Sequence, residues 1–317
     1  MKKMWFTLML VFVFILSACG SQQPEASNNA SSAAPKTEAP AQEAKTGTIT
    51  YQSETGPVEV PADPKRVVVL ASYAGNVMVL NVNLVGVDAW AKKNPRFIDK
   101  LKDVAEVSEE NIEKIIELDP DLILALSDVK NLDKLKQIAP TVTFTYGKLD
   151  YLSQHVEIGK VLNKEKEAQA WVDDFKKRME ETGKEIKAKI GDNATVSVIE
   201  NFDKQLYVYG DNWGRGTEIL FQGMKLNMPE KVKETALREG YFALSLEVLP
   251  QFAGDYVILS KNKDTDNSFQ ETETYKNMPA VKNNHVFEAN MNEFYFNDPL
   301  TLEYQLSFFS EHFLGKK

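Results

Sequence analysis

Short apolar runs alternate with stretches whose apolar residues recur every three or four positions. Arg66-Val67-Val68-Val69-Leu70 and Val85-Gly86-Val87 read as buried strands. Ile112, Ile115, Ile116 and Leu118 share one helical face, and Asp119-Pro120 ends that helix because the residue before proline disfavours the α region. Asp121 to Leu126 then predicts a strand, Leu132, Leu135 and Ile138 a short helix stopped by Pro140, and Thr141 to Tyr146 another strand. The second half has the same grammar. Strands are predicted at Thr195–Ile199, Leu206–Tyr209, Asp255–Ser260 and His285–Ala289, with helices near 216–223 and 246–252 and a closing amphipathic helix at Thr301–Leu314. Strands alternating with helices imply mostly parallel sheets covered on both faces.

Between the halves, Ala168, Trp171, Phe175, Met179, Ile186 and Ile190 form one apolar stripe, while the other faces are almost all Lys, Glu and Asp. The pattern predicts a helix over 164–190, ~40 Å long at the usual rise per residue, with Asn163 as its cap. Gly183 is its weak point. The fold class is therefore α/β, with two lobes joined by one long backbone helix. Such a link resists large hinge motion.

The N-terminus obeys a different pattern. Lys2 and Lys3 precede an apolar run from Met4 to Leu16, and Leu16-Ser17-Ala18-Cys19 follows. A basic start, a short apolar segment and small residues describe an export signal. The cysteine resembles that of the bacterial lipobox, where it is lipidated and becomes the first residue of the mature chain. Residues 20–47 are polar, Pro- and Ala-rich and aperiodic, as in a disordered tether. The expected division is signal peptide 1–18, lipidated Cys19 and tether 19–47, first lobe 48–150, helical connector 151–190 and second lobe 191–317. Cys19 is the only cysteine, so neither an internal disulfide nor a thiolate metal cluster is expected. The net charge of −9 argues against nucleic acid as a partner.

The densest candidate chemistry is Tyr207-Val208-Tyr209-Gly210-Asp211-Asn212-Trp213-Gly214-Arg215-Gly216. It joins a strand to a helix start, where parallel sheets present ligands. Arg215 would stand near a helix N-terminus, a poor place for a cation, so it serves a ligand or a partner carboxylate. A capped turn with a surface arginine is the plainer alternative. Three other strand-to-helix loops carry aromatics: Tyr73 in Ser72-Tyr73-Ala74-Gly75, Trp90, and Phe294-Tyr295-Phe296-Asn297-Asp298-Pro299. Each alone is more often core filler. No Gly-x-Ser-x-Gly elbow or His-Glu-x-x-His motif is present, and His155, His285 and His312 are scattered, so catalysis is not indicated.

These segments, with Asp63-Pro64-Lys65-Arg66, Pro120-Asp121-Leu122-Ile123, Ile138-Ala139-Pro140-Thr141 and Ala194-Thr195-Val196-Ser197, resemble the iron-siderophore receptors of ABC importers. The similarity is greatest to the FhuD-type ferric hydroxamate receptors. It runs from about residue 60 to about residue 305 and departs from the pattern at Phe294, where Trp or Tyr is common. The resemblance implies that Trp213, Arg215, Tyr209, Tyr295, Trp90, Tyr73 and Phe294 serve the ligand. It implies that Glu113 and Glu247 dock on the permease, which is driven by a cytoplasmic ATPase. The siderophore fills the coordination sphere of its iron, so no protein metal ligand or cofactor is needed. The expected protein is a monomer, lipid-anchored on the outer face of the cell membrane. A tris-hydroxamate complex is roughly neutral or cationic, which suits one arginine and an aromatic rim. A catecholate would call on further cations such as Lys92, Lys93 or Arg96. Haem, cobalamin, or a cell-surface enzyme or adhesion module are the remaining alternatives.

Overall fold

The computed structural model describes residues 47–316. The signal segment, Cys19 and nearly all of the tether lie outside the described residues. A hairpin of β1 (Thr48–Ser53) and β2 (Gly56–Pro61) precedes the first lobe. Its sheet contains β3 (Val67–Leu70), β4 (Leu84–Val87), β5 (Ala105–Glu106), β6 (Leu122–Leu126) and β7 (Thr141–Phe144), in the order β5-β4-β3-β6-β7, all parallel. The β3, β6 and β7 strands are almost wholly buried, as continuous apolar runs require in a sheet covered on both faces.

The second sheet holds β8 (Val196–Phe202), β9 (Gln205–Tyr209), β10 (Tyr241–Leu244), β11 (Tyr256–Lys261) and β12 (Val286–Asn290), in the order β10-β9-β8-β11-β12. Here β8, β11 and β12 run parallel, and β9 pairs antiparallel with both of its neighbours, β8 and β10. The β8–β9 connection is a tight turn through Asp203 and Lys204, both left-handed, and so short a link permits only antiparallel pairing. The apolar run near 246–252 forms only a three-residue 3₁₀ turn, Leu249–Gln251. The helix Tyr151–Val161 opens the connector, while the hairpin, β10 and several short helices, among them Ala74–Val79 and Glu230–Ala236, are additions to the predicted elements.

The backbone helix runs Glu165–Ile190. Its cap is Lys164, not Asn163. Asn163 is left-handed and donates its side-chain amide to Ala62 O instead. At Gly183 the helix passes the backbone of Met224, where any side chain would collide, so the apparent weak point is a packing site. Ala168 joins the core around the first sheet, whereas Val172, Phe175, Met179 and Ile186 join that around the second. One helix thus serves both lobes. The closing helix Pro299–Phe309 is clamped to it: Trp171 Nε1 and Arg178 both donate to Glu303. Before that helix the chain returns to the first lobe, where Phe296 stacks on Phe97 and Tyr295 and Leu300 pack against the same core.

His155 is fully buried between these parts. Asn76 donates to its Nδ1, Trp171 meets its ring edge-on, and its Nε2 has no hydrogen-bond partner among the described residues. Burial holds its pKa down at about 4. The unfolded chain, titrating near 6.5, binds the proton more readily, so stability is complete above that value and falls as pH drops toward 4. From pH 8 to pH 5 this residue removes about 2 kcal/mol. Urea unfolding of His155→Gln against the parent at both pH values checks this, and equal pH slopes would refute it.

Candidate functional site

A cleft of about 430 Å³ opens between the lobes. The first lobe contributes Ser72 and Tyr73 after β3 and Tyr146 after β7. The second contributes Asn212, Trp213, Glu218 and Gln222, and the return segment contributes Asn297. Asp150, Tyr151 and Gln154, from the first turn of the helix Tyr151–Val161, complete the wall. The strand ends supply the rings because a parallel sheet points all its strand-to-helix loops to one edge. Tyr146 stands edge-on to Trp213 at 6.2 Å, and Trp213 leans on Tyr241 at 5.1 Å. Trp213 is half-buried and Tyr146 is exposed, so both rings offer area to a ligand.

The loop under Trp213 is tightly coiled. Gly214, Arg215 and Gly216 are all left-handed, with φ of 67°, 59° and 82°. For the arginine this conformation costs about 1–2 kcal/mol. Its backbone N–H donates to Phe294 O at 2.7 Å, and its side chain enters a polar cluster in the second lobe. Glu200, from the centre of β8, accepts from Arg215 Nε (3.2 Å) and Nη2 (2.8 Å), from Tyr209 OH (2.8 Å) and from Ser260 Oγ (2.6 Å). Arg215 Nη1 donates to Trp213 O. Burial alone would lower the arginine's pKa, but the Glu200 carboxylate more than offsets it and holds the guanidinium protonated. The guanidinium lies 4.4 Å from the Tyr295 ring centre and 4.8 Å from that of Tyr209. Tyr295 in turn stacks on Trp90 at 4.9 Å. Trp90, Tyr295, Arg215 and Tyr209 therefore form one stack that ties the two lobes together beside the cleft.

The expected ligand residues thus separate. Tyr73 and Trp213 line the cleft. Trp90, Tyr295, Arg215 and Tyr209 form the adjoining stack, with Arg215 and Tyr209 almost fully buried. Phe294 is a correction: it is completely buried among Tyr304, Phe308 and Phe309, so its ring fills the core and presents nothing to a ligand. The basic group near Trp90 is mostly engaged. Lys92 donates to Leu101 O, and Arg96 pairs with Glu293 and covers Tyr304, while Lys93 lies 5.0 Å above Trp90. Glu113 is exposed in the first turn of the helix Ile112–Glu117. Glu247 is exposed in the turn that precedes Leu249–Gln251.

Tyr146, Asp150, Glu200 and Glu218 are additions to the sequence reading. Tyr146-Gly147 occupies the same kind of strand-end loop as Tyr73 and was open to the same inference. Glu200 is the one charge in an otherwise apolar or small strand, itself a signal of a buried partner. Glu218 accepts from Gly214 N and Asn297, and burial pushes its carboxyl up. Among the described residues no three His, Cys, Asp or Glu side chains are grouped to hold a metal ion, and no helix is long and apolar enough to cross a membrane.

The periplasmic binding protein family model matches residues 67–292. The iron(3+)-hydroxamate-binding protein FhuD of Bacillus subtilis is 36% identical over 309 residues, covering 95% of this chain and 94% of that protein. The FhuD protein of S. pseudintermedius superposes with a TM-score of 0.77 at 37% identity, over 86% of this chain and 99% of that one. The FhuD2 protein of Staphylococcus aureus with bound ferrioxamine B gives a TM-score of 0.76 at 34% identity, over 80% and 99% of the two chains. The chain belongs to the periplasmic binding protein family, whose members are transport receptors and not enzymes.

Proposed function

We propose that this receptor captures ferric hydroxamate siderophores outside the cell and delivers them to an ABC permease served by a cytoplasmic ATPase. The observation that carries the reading is the interlobe cleft rimmed by Tyr73, Tyr146 and Trp213, without a lysine or arginine in its lining. Aromatic faces suit the hydrocarbon linkers of a compact iron complex, and Asn212, Gln222 and Asn297 offer amide groups to its polar atoms. The similarity to receptors named for iron(3+)-hydroxamate and to one with bound ferrioxamine B supports the ligand class. Arg215 and Tyr209 serve by fixing the Trp213 loop and the Tyr295 ring, with the free N–H groups of Arg215 turned to ligand oxygens. Lipid on Cys19 tethers the receptor, residues 20–47 give it reach, and Glu113 and Glu247 meet basic residues of the permease. The lobes close only modestly, because the backbone and closing helices bind both.

Titration with ferrioxamine B or ferrichrome is expected to quench tryptophan fluorescence saturably. Absence of saturable quenching with every hydroxamate tried would defeat the assignment. Trp213→Ala removes the central ring and is expected to weaken binding by roughly 10- to 30-fold, about 1.5–2 kcal/mol. Isothermal titration of the variant checks this, and unchanged affinity would remove Trp213 from the site.

A further inference from the structure

The one arginine at the cleft is not a free cation. Glu200 is wholly buried and Arg215 is 6% exposed, and their atoms approach to 2.8 Å, so the two charges cancel at the cleft surface. Tyr209 and Ser260 hold Glu200 from its other sides and fix this arrangement. The lining itself contains two carboxyl groups and no cation. Asp150 accepts from the backbone N–H groups of Leu152 and Ser153 and from the Ser153 hydroxyl. Burial acts to raise its pKa, but these donors and nearby Lys176 outweigh that, so it stays ionised. Glu218 differs. The Thr217 hydroxyl lies 2.8 Å from Gly214 O and 3.1 Å from Glu218 Oε2. The Glu218 carboxyl is 2% exposed and accepts from Gly214 N, Asn297 Nδ2 and that hydroxyl, so its oxygens are taken up inside the protein. Lys148, the neighbouring cation on the rim, is paired with Glu54. Asp150 is therefore the charge that a bound ligand meets, with Lys176 offsetting it only in part.

We propose that the cleft sorts ferric complexes by net charge, ranking cationic above neutral above anionic, with Asp150 as the specificity-determining residue and Glu200 as the group that removes the charge of Arg215. The inference rests on the hydroxamate reading above. It separates ligands that share one metal-binding core and differ only in a pendant group. Ferrioxamine B carries a free terminal ammonium; acetylation of that amine makes it neutral, and succinylation makes it anionic.

The three complexes are titrated against the receptor by tryptophan quenching at low and at high salt. Affinity should fall on the order of fivefold per unit of charge from cation to anion, and the spread should narrow with salt. Asp150→Asn keeps a good helix cap, so the fold is retained, and it should flatten the ranking. Glu200→Gln, which leaves the arginine charge unopposed, should shift the ranking toward the anionic complex. Equal affinities for the three, or a ranking unmoved by Asp150→Asn, would overturn the charge filter while leaving hydroxamate binding intact. Binding of none of the three would overturn the hydroxamate reading and the filter with it.

Discussion

Arg215→Ala destabilises the ligand-free protein by about 3–5 kcal/mol, because it strands an ionised Glu200 in a fully buried position. Tyr209 and Ser260 remain as donors, but neither carries charge. The left-handed backbone at residue 215 is kept in the alanine variant, so its strain persists without the ion pair that compensates it. Arg215→Lys recovers little, since one ammonium cannot reproduce the Nε and Nη2 contacts together. Removing both charges, as Arg215→Met with Glu200→Gln, should restore most of the stability. Urea unfolding of the parent, Arg215→Met, Glu200→Gln and the double variant gives the coupling directly. A loss under about 1 kcal/mol for Arg215→Ala, or simple additivity in the double variant, would show that the pair is not the internal strut described. The result also governs how binding data are read: lost affinity in Arg215→Ala reports a collapsed loop as much as a lost ligand contact.

That pair marks the limit of what the chain discloses before folding. Parallel strands, the two lobes and the backbone helix are legible because each is a local pattern: Val67–Leu70 and Leu122–Leu126 are uninterrupted apolar runs, and the 165–190 stripe repeats at helical spacing. The strand-end aromatics Tyr73 and Trp213 are legible because sheet topology decides where loops gather. What escapes is pairing across distance. Nothing local to Arg215 says that Glu200 will meet it, and nothing near Phe294 says that Phe308 and Phe309 will enclose it while its neighbour Tyr295 faces Trp90. Phe294 and Tyr295 are both helical, and successive helical side chains point about 100° apart, so an aromatic cluster in sequence splits into one core ring and one rim ring. β10 escapes for a related reason. Three of its four residues are exposed, so no buried run announces it, and only its antiparallel pairing with β9 makes it a strand.

Gly75→Ala is expected to cost about 2–4 kcal/mol, combining the overpacking and lost-cap terms. Gly75 lies in the first turn of the helix Ala74–Val79, and a Cβ there would overlap the Asp298 carboxyl. Asp298 cannot yield freely. It is buried, and it caps the closing helix by accepting from Leu300 N, Thr301 N and Thr301 Oγ1. The methyl group must therefore push the start of that helix away from the first lobe. Asn297 and Tyr295 immediately precede it, so the Trp90–Tyr295 stack loosens and the cleft loses a wall. Stability and ferrioxamine affinity should fall together. Placing Gly75→Ala in an Asp298→Ser background tests the cause, since serine still caps but is a smaller side chain. Recovery of stability in the double variant relative to the sum of the singles is the expected outcome. Gly75→Ala within about 0.5 kcal/mol of the parent would mean that the two lobes are not held in register at this contact.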